Sequence, residues 1–208
     1  MPRPKDIDTV EGRQRHEAKY QRILEAALEV FARKGFHEAK ISEIARTAGV
    51  ADGTIYLYFK NKDDLLISLF EAKIGQINAG LQDELASIDD IKVRLQHIII
   101  YHLRLALENP ILARFICIEL RRSAKFMKEH ARTQLSEYLV QWGETIEAGK
   151  KAGIFRQEVS TGILKNIIFG ALDHACVTWV NNPQRTPEDL QEVGAQMGDL
   201  ILRAISVP

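Results

Sequence analysis

Cysteine is nearly absent from this chain of 208 residues: there are two, Cys117 and Cys176. No Cys or His pair stands at the spacing of a zinc site, so a metal-binding module is not indicated. We expect both thiols to be buried and reduced, as in a cytoplasmic protein. The N-terminus lacks the apolar run of a signal peptide. No uninterrupted apolar stretch reaches the 18 residues of a membrane span, so no membrane contact is predicted.

Strand-like alternation is also missing, and glycine occurs only 13 times. The apolar residues instead recur at helical spacing, which predicts an all-α protein of about nine helices. Asn61, Asn109 before Pro110, and Thr186 before Pro187 have the residue types that begin helices. Residues 1–12 are polar and are expected to form a mobile arm. The predicted helices cover residues 13–34, 41–48, 52–58, a long segment from 62, 89–107, 110–126, 129–151, 160–180 and 187–205.

An excess of charge of one sign is lacking too, because 28 basic residues balance 28 acidic ones. The balance is not local, however. Residues 1–62 hold 12 Lys or Arg against 9 Asp or Glu, which is +3, and the remainder is −3. A locally basic region is sufficient for binding phosphates, so the neutral total does not exclude a nucleic-acid partner.

The basic region contains a pattern typical of a helix-turn-helix in residues 41–60. Small and branched apolar residues form one face of the helix 41–48, and Gly49 allows a tight turn before the helix 52–58. The second helix would enter the major groove of duplex DNA. Two short helices around a glycine also occur in ordinary protein cores, so spacing alone leaves both interpretations open. The candidate DNA contacts are Lys40, Ser42, Gly53, Thr54, Tyr56, Leu57, Tyr58 and Lys62.

Two of these candidates have specific physical reasons. Gly53 would let the backbone come close to DNA, and Lys62 would add its charge to a helix N-terminus to bind a phosphate. Asp52 is the position that this scheme does not explain, because it places a negative charge near DNA.

Residues 20–70 resemble the TetR family of bacterial repressors. The resemblance rests on the ordered string IxEIAxxAGVxxGTIYxYFxxKxxLL, which runs here from Ile41 to Leu66. It departs from the family where Ala39-Lys40 and Ala51 stand in place of the usual Ser or Thr caps. The resemblance implies a homodimer with a DNA-binding domain, residues 1–62, and a ligand-binding and dimerisation domain, residues 63–208.

Most of the chain resembles those family members that repress fatty-acid degradation genes. Three segments carry this resemblance: GVADGTIYLYFKNKDDLLISLF, residues 49–70, IELRRS, residues 118–123, and FGALDHACVTWV, residues 169–180. It implies a ligand-responsive repressor without catalytic activity or cofactor, which long-chain acyl-CoA releases from its operator.

Acyl-CoA needs an apolar tunnel for its tail and cations for its phosphates. The helices from 89 to 180 contain both kinds of residue. Apolar stripes are more often core than pocket, however, and arginines on helices are often paired with carboxylates. The candidate ligand residues are Leu103, Arg104, Leu112, Phe115, Ile116, Arg121, Arg122, Lys125, Trp142, Phe169 and Trp179.

The last two predicted helices, 160–180 and 187–205, carry stripes of small and branched residues. We expect them to form a four-helix dimer interface, although the stripes could also pack within one subunit. Two other functions stay open. The ligand could be another hydrophobic or drug-like molecule, or the chain could be an enzyme with an incidental helix-turn-helix. No catalytic arrangement of side chains supports the last of these.

Overall fold

The computed structural model describes residues 9–119, 136–182, 184 and 186–207. Within these residues there are nine α-helices and no β-strand, which confirms the all-α prediction. One isolated antiparallel bridge joins Phe155 to Ser206. The helices are α1 (Val10–Lys34), α2 (Ile41–Ala48), α3 (Asp52–Tyr58), α4 (Lys62–Leu85), α5 (Ile91–Glu108), α6 (Pro110–Arg114), α7 (Val140–Lys151), α8 (Thr161–Val180) and α9 (Pro187–Ile205).

The predicted starts of three helices are confirmed by side-chain caps. Asn61 Oδ1 accepts a hydrogen bond from the backbone N–H of Asp64 at 2.8 Å at the start of α4. Asn109 accepts from Leu112 N–H at 2.9 Å, with Pro110 in the first helical position. Thr186 caps α9 in the same way. These caps satisfy donors that a helix otherwise leaves unpaired, so the sequence alone locates the helix starts.

Two boundaries differ clearly from those predicted. Helix α1 begins at Val10 because Thr9 accepts a hydrogen bond from Gly12 N–H, so residues 10–12 are helical and not part of an arm. After α6 the chain continues as a π-helical turn, Phe115–Glu119. The rest of the predicted helix 110–126 and the first part of the helix 129–151 lie outside the described residues.

The chain forms two compact units, Met1–Glu71 and Ala72–Pro208, and α4 belongs to both. The first unit has its own core, because α1, α2 and α3 each bury one apolar face. Gly49 takes the left-handed conformation, φ 65°, that a tight turn between α2 and α3 requires. The fully buried members of this core include Ile23, Ala27, Val30, Phe31, Ile44, Ala45, Ile55 and Phe59.

Helix α5 is the centre of the second unit, where it packs against α6, α7, α8 and α9. Both cysteines are buried here and neither forms a disulfide, as expected. Among the described helices, only α8 is long and apolar enough to span a membrane, and 28% of its most apolar stretch is buried. One such helix is weak evidence for a membrane protein. The large apolar side chains that α8 exposes, Ile163 and Ile167, instead mark a surface without a partner in a single chain.

Candidate DNA interface and ligand-binding cluster

Helix α3 is held by its apolar side and exposes the other. The turn before it is a Schellman motif, in which Val50 N–H donates to Ala45 O at 2.9 Å and Gly49 N–H donates to Arg46 O at 3.2 Å. Ile55 is then 1% exposed, whereas Tyr56 and Leu57 are 47% and 65% exposed. The turn and the buried isoleucine therefore fix which side chains α3 presents outward.

Gly53 lies on the exposed side of α3. A Cβ atom built at this position has no atom within 4 Å, so packing in this chain does not require a glycine. Glycine in a helix costs stability relative to alanine. An exposed glycine without a packing reason is consistent with a site where another molecule approaches the backbone.

Tyr58 differs from Tyr56, because it packs onto α1. Its ring centroid is 4.4 Å from that of His16 and 6.2 Å from that of Tyr20. Partial burial raises the pKa of Tyr58 above its usual value. Tyr58 therefore positions α3 on α1, and Tyr56 is the tyrosine with the greater free surface for a partner.

Lys62 has a structural role that the sequence prediction did not include. Its ammonium Nζ donates to the carbonyl oxygens of Phe36 (2.7 Å), His37 (3.2 Å) and Ala39 (3.0 Å). It also lies 4.6 Å from the centre of the Phe36 ring. An ammonium has three N–H donors, and all three are used. Lys62 therefore holds the segment between α1 and α2 in this conformation, and its contact with a DNA phosphate stays a prediction.

Helix α2 presents the polar residues Lys40 and Ser42 to solvent, near its N-terminus. The Glu43 carboxylate accepts from Lys40 N–H at 3.4 Å, while Lys40 itself makes no side-chain cap of the kind that Ser or Thr would make. Sequence reasoning missed Arg46, an exposed cation in the last turn of α2. Its signal was available, because it lies on the polar side of the same amphipathic helix.

Asp52 is the first residue of α3, is exposed, and follows Ala51, which makes no side-chain cap. A carboxylate in the first turn interacts favourably with the positive end of the helix. This position gives Asp52 a role in stabilising a short helix.

A cluster of four aromatic rings, two buried and two half-buried, lies in the second unit on α5, α7, α8 and the helical residues 136–138 before α7. The rings of His102, Tyr138, Trp142 and Phe169 contact each other with centroids 5.6–6.1 Å apart. Trp142 is fully buried and Tyr138 is 4% exposed. The structure therefore brings two predicted ligand residues, Trp142 and Phe169, together with two that the prediction omitted.

The polar atoms of this cluster are in neutral groups. His102 Nδ1 lies 2.8 Å from the Tyr138 hydroxyl. Burial lowers the pKa of His102 to about 4, although the nearby Asp173 acts in the opposite direction. Burial also raises the pKa of Tyr138 well above 10. At neutral pH the cluster thus contains a neutral imidazole and a protonated phenol.

Arg104 is already paired with carboxylates. Its guanidinium bonds to Glu84, and its Nε lies 3.5 Å from Glu108 Oε1. Glu84 also accepts from His97 at 2.8 Å. Burial alone would raise the pKa of Glu84, but hydrogen bonds from His97 and Arg104 hold it below its usual value. Arg104 is therefore paired with carboxylates within the chain, and its contact with ligand phosphates stays a prediction.

Two further predicted ligand residues lie away from the aromatic cluster. Leu103 packs against α9, where its Cδ1 would be 2.9 Å from a Cβ at Gly194. The Trp179 indole donates to Thr186 O at 3.2 Å and so holds the α8–α9 connection. Trp179 is ten residues beyond Phe169, about 15 Å along the helix. Both residues contact neighbouring helices or their connection in this structure, and a ligand contact by either one stays a prediction.

The remaining predicted ligand residues divide into two groups. Leu112 and Phe115 are buried, and Ile116 is partly exposed, on α6 and the π-helical turn. Arg121, Arg122 and Lys125 lie outside the described residues. No group of three potential metal ligands occurs in the part of the chain that the structure covers.

An open groove of about 570 Å³ lies between α7 and α8. Its lining combines two acidic side chains, Glu144 and Glu147, with two basic ones, Lys151 and Lys165. Mixed charge of this kind favours neither an anionic nor a cationic ligand, and the groove contains none of the predicted ligand residues.

The two helices predicted to form a dimer interface, α8 and α9, both expose large apolar side chains. Ile167 on α8 is 61% exposed and Leu200 on α9 is 69% exposed. Large apolar side chains exposed on neighbouring helices are typical of an interaction surface.

The chain matches known families over nearly its whole length. Residues 23–69 match the family described as bacterial regulatory proteins, tetR family, and residues 70–204 match the YsiA-like protein C-terminal region. The fatty acid metabolism regulator protein of Bacillus subtilis is 37% identical over 167 residues, which are 80% of this chain and 86% of that protein.

Two solved structures are similar in both sequence and fold. FadR from Bacillus subtilis, in complex with stearoyl-CoA, has 35% identity and a TM-score of 0.83, covering 88% of this chain and 97% of that one. The fatty acid degradation regulator FadR from Bacillus halodurans has 36% identity and a TM-score of 0.83, covering 88% and 94%. These relatives are transcription regulators and not enzymes. The chain belongs to the TetR family of bacterial regulatory proteins.

Proposed function

We propose that this chain is a cytoplasmic, dimeric repressor of fatty-acid degradation genes that long-chain acyl-CoA releases from its operator. The observation that carries the proposal is the similarity to FadR in complex with stearoyl-CoA, which extends over 88% of this chain at a TM-score of 0.83. Both units take part in that similarity, so it supports a DNA-binding role and a ligand-binding role together.

The proposed DNA contacts come from α2 and α3. Tyr56, Leu57 and Thr54 would meet base edges in the major groove, because they lie on or beside the exposed side of the recognition helix. Lys40 and Ser42 would contact phosphates at the start of α2. Arg46 is added as a further phosphate contact on the same surface. Gly53 would give the room for α3 to come close to the duplex.

The proposed ligand site lies in the second unit. Arg121, Arg122 and Lys125 are proposed to bind the phosphates of CoA, since several cations so close in sequence match a polyanion. The apolar tail would pass between the helices that carry Leu112, Phe115 and Ile116, as well as Trp142 and Phe169. Apolar lining with a few polar groups is the usual composition of a ligand site.

The proposed dimer forms through α8 and α9 of each subunit. Ile163 and Ile167 of α8 and Leu200 of α9 are 53%, 61% and 69% exposed in the single chain. Two such helices from each copy would bury these side chains in a four-helix interface. The dimer would then place two recognition helices about 34 Å apart, one turn of DNA.

Helix α4 gives the proposed route from ligand to DNA, because it is continuous across the boundary between the units. In the second unit it is bound to α5, where Tyr101 Oη donates to Ile77 O at 2.9 Å. It is also bound to α7, where Gln141 Nε2 donates to Asn78 O at 3.3 Å. A ligand that separates α5 and α7 would shift α4. Such a ligand shifts the equilibrium only if it binds the DNA-incompetent state more tightly.

The first test identifies the two partners independently. Natively purified protein is examined by mass spectrometry for retained ligand, and DNA is selected from a random pool by the same protein. We expect a retained long-chain acyl-CoA and an inverted-repeat DNA sequence. Retention of a different ligand class would overturn the acyl-CoA part, and failure to enrich any sequence would overturn the operator part.

A further inference from the structure

Helix α1 carries a row of basic residues along one side of its N-terminal half. Arg15, Lys19 and Arg22 follow one another at steps of four and three residues, which places them on the same side of a helix. All three are exposed. From the first to the last they extend about 10 Å along the helix axis. These three residues are called the basic row of α1 below.

The charges of the basic row are available to a partner. Within the residues that the structure describes, Lys19 and Arg22 form no ion pair. Arg15 lies 3.7 Å from Glu11, which is longer than a hydrogen bond, and the two side chains are 76% and 85% exposed. Exposed pairs of this kind hold their partners weakly.

The cations at the other end of the same helix are engaged instead. Arg33 donates to the Glu29 carboxylate at 3.2 Å, and Lys34 bonds to Glu43 of α2. The basic row is therefore distinguished from the other cations of α1 by its lack of strong partners within the chain.

Acidic residues do not cancel the charge of the row. Residues 12–24 contain four Lys or Arg and one acidic residue, Glu17. Glu17 is two residues before Lys19 and so lies on a different side of the helix, where its carboxylate accepts from Gln21 Nε2 at 2.8 Å. The side of α1 that carries the row is therefore locally positive.

The row lies beside helix α3. Tyr58, the last residue of α3, has its ring centroid 4.4 Å from that of His16, which follows Arg15 in sequence. Burial raises the pKa of Tyr58, and the nearby charge of Arg22 acts in the opposite direction. Both observations place this part of α1 next to the C-terminal end of α3, within the first unit.

This position matches the sugar-phosphate backbone of a duplex. A helix that enters the major groove has a phosphate strand on each side of it, and contacts with those strands hold the protein in place without reading sequence. A row of unpaired cations next to α3 has the charge that such a strand requires.

We propose that Arg15, Lys19 and Arg22 bind phosphates of the operator strand that borders the groove entered by α3. This inference rests on the proposed function, and it adds α1 to a DNA-binding surface so far assigned to α2 and α3. The row then strengthens binding to every duplex to the same degree, and the choice of sequence is left to α3.

The test measures how DNA binding depends on salt. The variants are Lys19→Gln, Arg22→Gln and the double variant, since glutamine removes the charge and is well tolerated in a helix. Fluorescence anisotropy at several salt concentrations gives the slope of log K against log salt for the selected operator and for a scrambled duplex of equal length. Each phosphate contact contributes about 0.9 to this slope, and each residue occurs twice in the dimer.

We expect the slope to become shallower by about 1.8 in each single variant and by about 3.6 in the double variant. The loss of affinity should be the same factor for the operator and for the scrambled duplex. A reduced fraction of active protein changes the apparent affinity but not the slope, so a partly unfolded variant does not imitate this result.

Arg33→Gln is the matched control. It removes one positive charge from the same helix, but Arg33 is paired with Glu29 and lies at the other end of α1. We expect its slope to equal that of the wild-type protein, which separates a phosphate contact from a general effect of net charge.

The possible results separate this inference from the proposed function. A wild-type slope in the double variant, or an equal decrease in Arg33→Gln, overturns the inference and leaves the proposed function intact. A loss of affinity confined to the operator also overturns it, because that result indicates contact with bases. If the wild-type protein binds the operator no better than the scrambled duplex, the proposed function as a specific repressor is overturned.

Discussion

Gly53→Ala is expected to stabilise the protein while weakening its binding to DNA. A Cβ at Gly53 has no atom within 4 Å, so alanine creates no clash and loses no contact in the free chain. What remains is the intrinsic difference between glycine and alanine in a helix, about 0.5–1 kcal/mol in favour of alanine. For a protein of this size that corresponds to a rise in Tm of roughly 1–4 °C.

The effect on DNA binding has the opposite sign. If α3 lies against the duplex at Gly53, the added methyl group separates the two surfaces and weakens the neighbouring contacts of Thr54 and Tyr56. We expect a loss in affinity of about tenfold or more, which is roughly 1.4 kcal/mol. A single methyl group that improves folding and impairs binding shows that the glycine serves the partner.

Gly75→Ala is the matched control. Gly75 is an exposed glycine in α4, and a Cβ there also has no atom within 4 Å. It should raise Tm by a similar amount and leave the affinity for DNA unchanged. Differential scanning fluorimetry and fluorescence anisotropy with the selected operator measure the two quantities. Unchanged affinity of Gly53→Ala would refute the placement of Gly53 at the DNA surface.

Three further outcomes are expected. Lys62→Met should lower the free energy of unfolding by about 1–3 kcal/mol, because the carbonyl groups of Phe36, His37 and Ala39 lose their donor. This prediction would be contradicted if Tm were unchanged and the salt dependence of DNA binding fell by the amount expected for the loss of about one phosphate contact. Ile167→Asp should convert the dimer to monomer in analytical ultracentrifugation, whereas the control Val93→Asp, 51% exposed on α5, should not; a dimeric Ile167→Asp protein would rule out the α8–α9 interface. The folded-state pKa of His102 is depressed to about 4, which means that the folded protein favours the neutral imidazole. The neutral imidazole therefore contributes fully to stability above pH 6.5, and this contribution is lost as the pH falls towards 4. Relative to His102→Gln, the wild-type protein should lose about 2 kcal/mol by pH 5 in urea titrations, and parallel pH profiles of the two proteins would contradict a neutral imidazole at this position.

The helices could be predicted from the sequence because their signals are local. Asn61, Asn109 and Thr186 act on backbone groups three residues away, so residue type and spacing are sufficient to place the ends of the helices. The turn at Gly49 was predictable for the same reason, since its left-handed conformation favours glycine.

The roles of individual charged and polar side chains were less predictable, because their partners are distant in sequence. Lys62 binds carbonyls 23–26 residues before it. Arg104 pairs with Glu84, 20 residues away, and His102 meets Tyr138 across 36 residues. The carboxylate partner of Arg104 and the polar part of the aromatic cluster could not be identified from the sequence for that reason.

The central claim is that one chain couples acyl-CoA binding to release from DNA. The most direct measurement titrates stearoyl-CoA into a complex of the dimer with a fluorescently labelled operator and follows anisotropy, with free CoA and stearate as controls. The account predicts that anisotropy falls to the value of free DNA as stearoyl-CoA saturates the protein, and that neither control has this effect. Full retention of the DNA by protein that calorimetry shows to be saturated with stearoyl-CoA would contradict it.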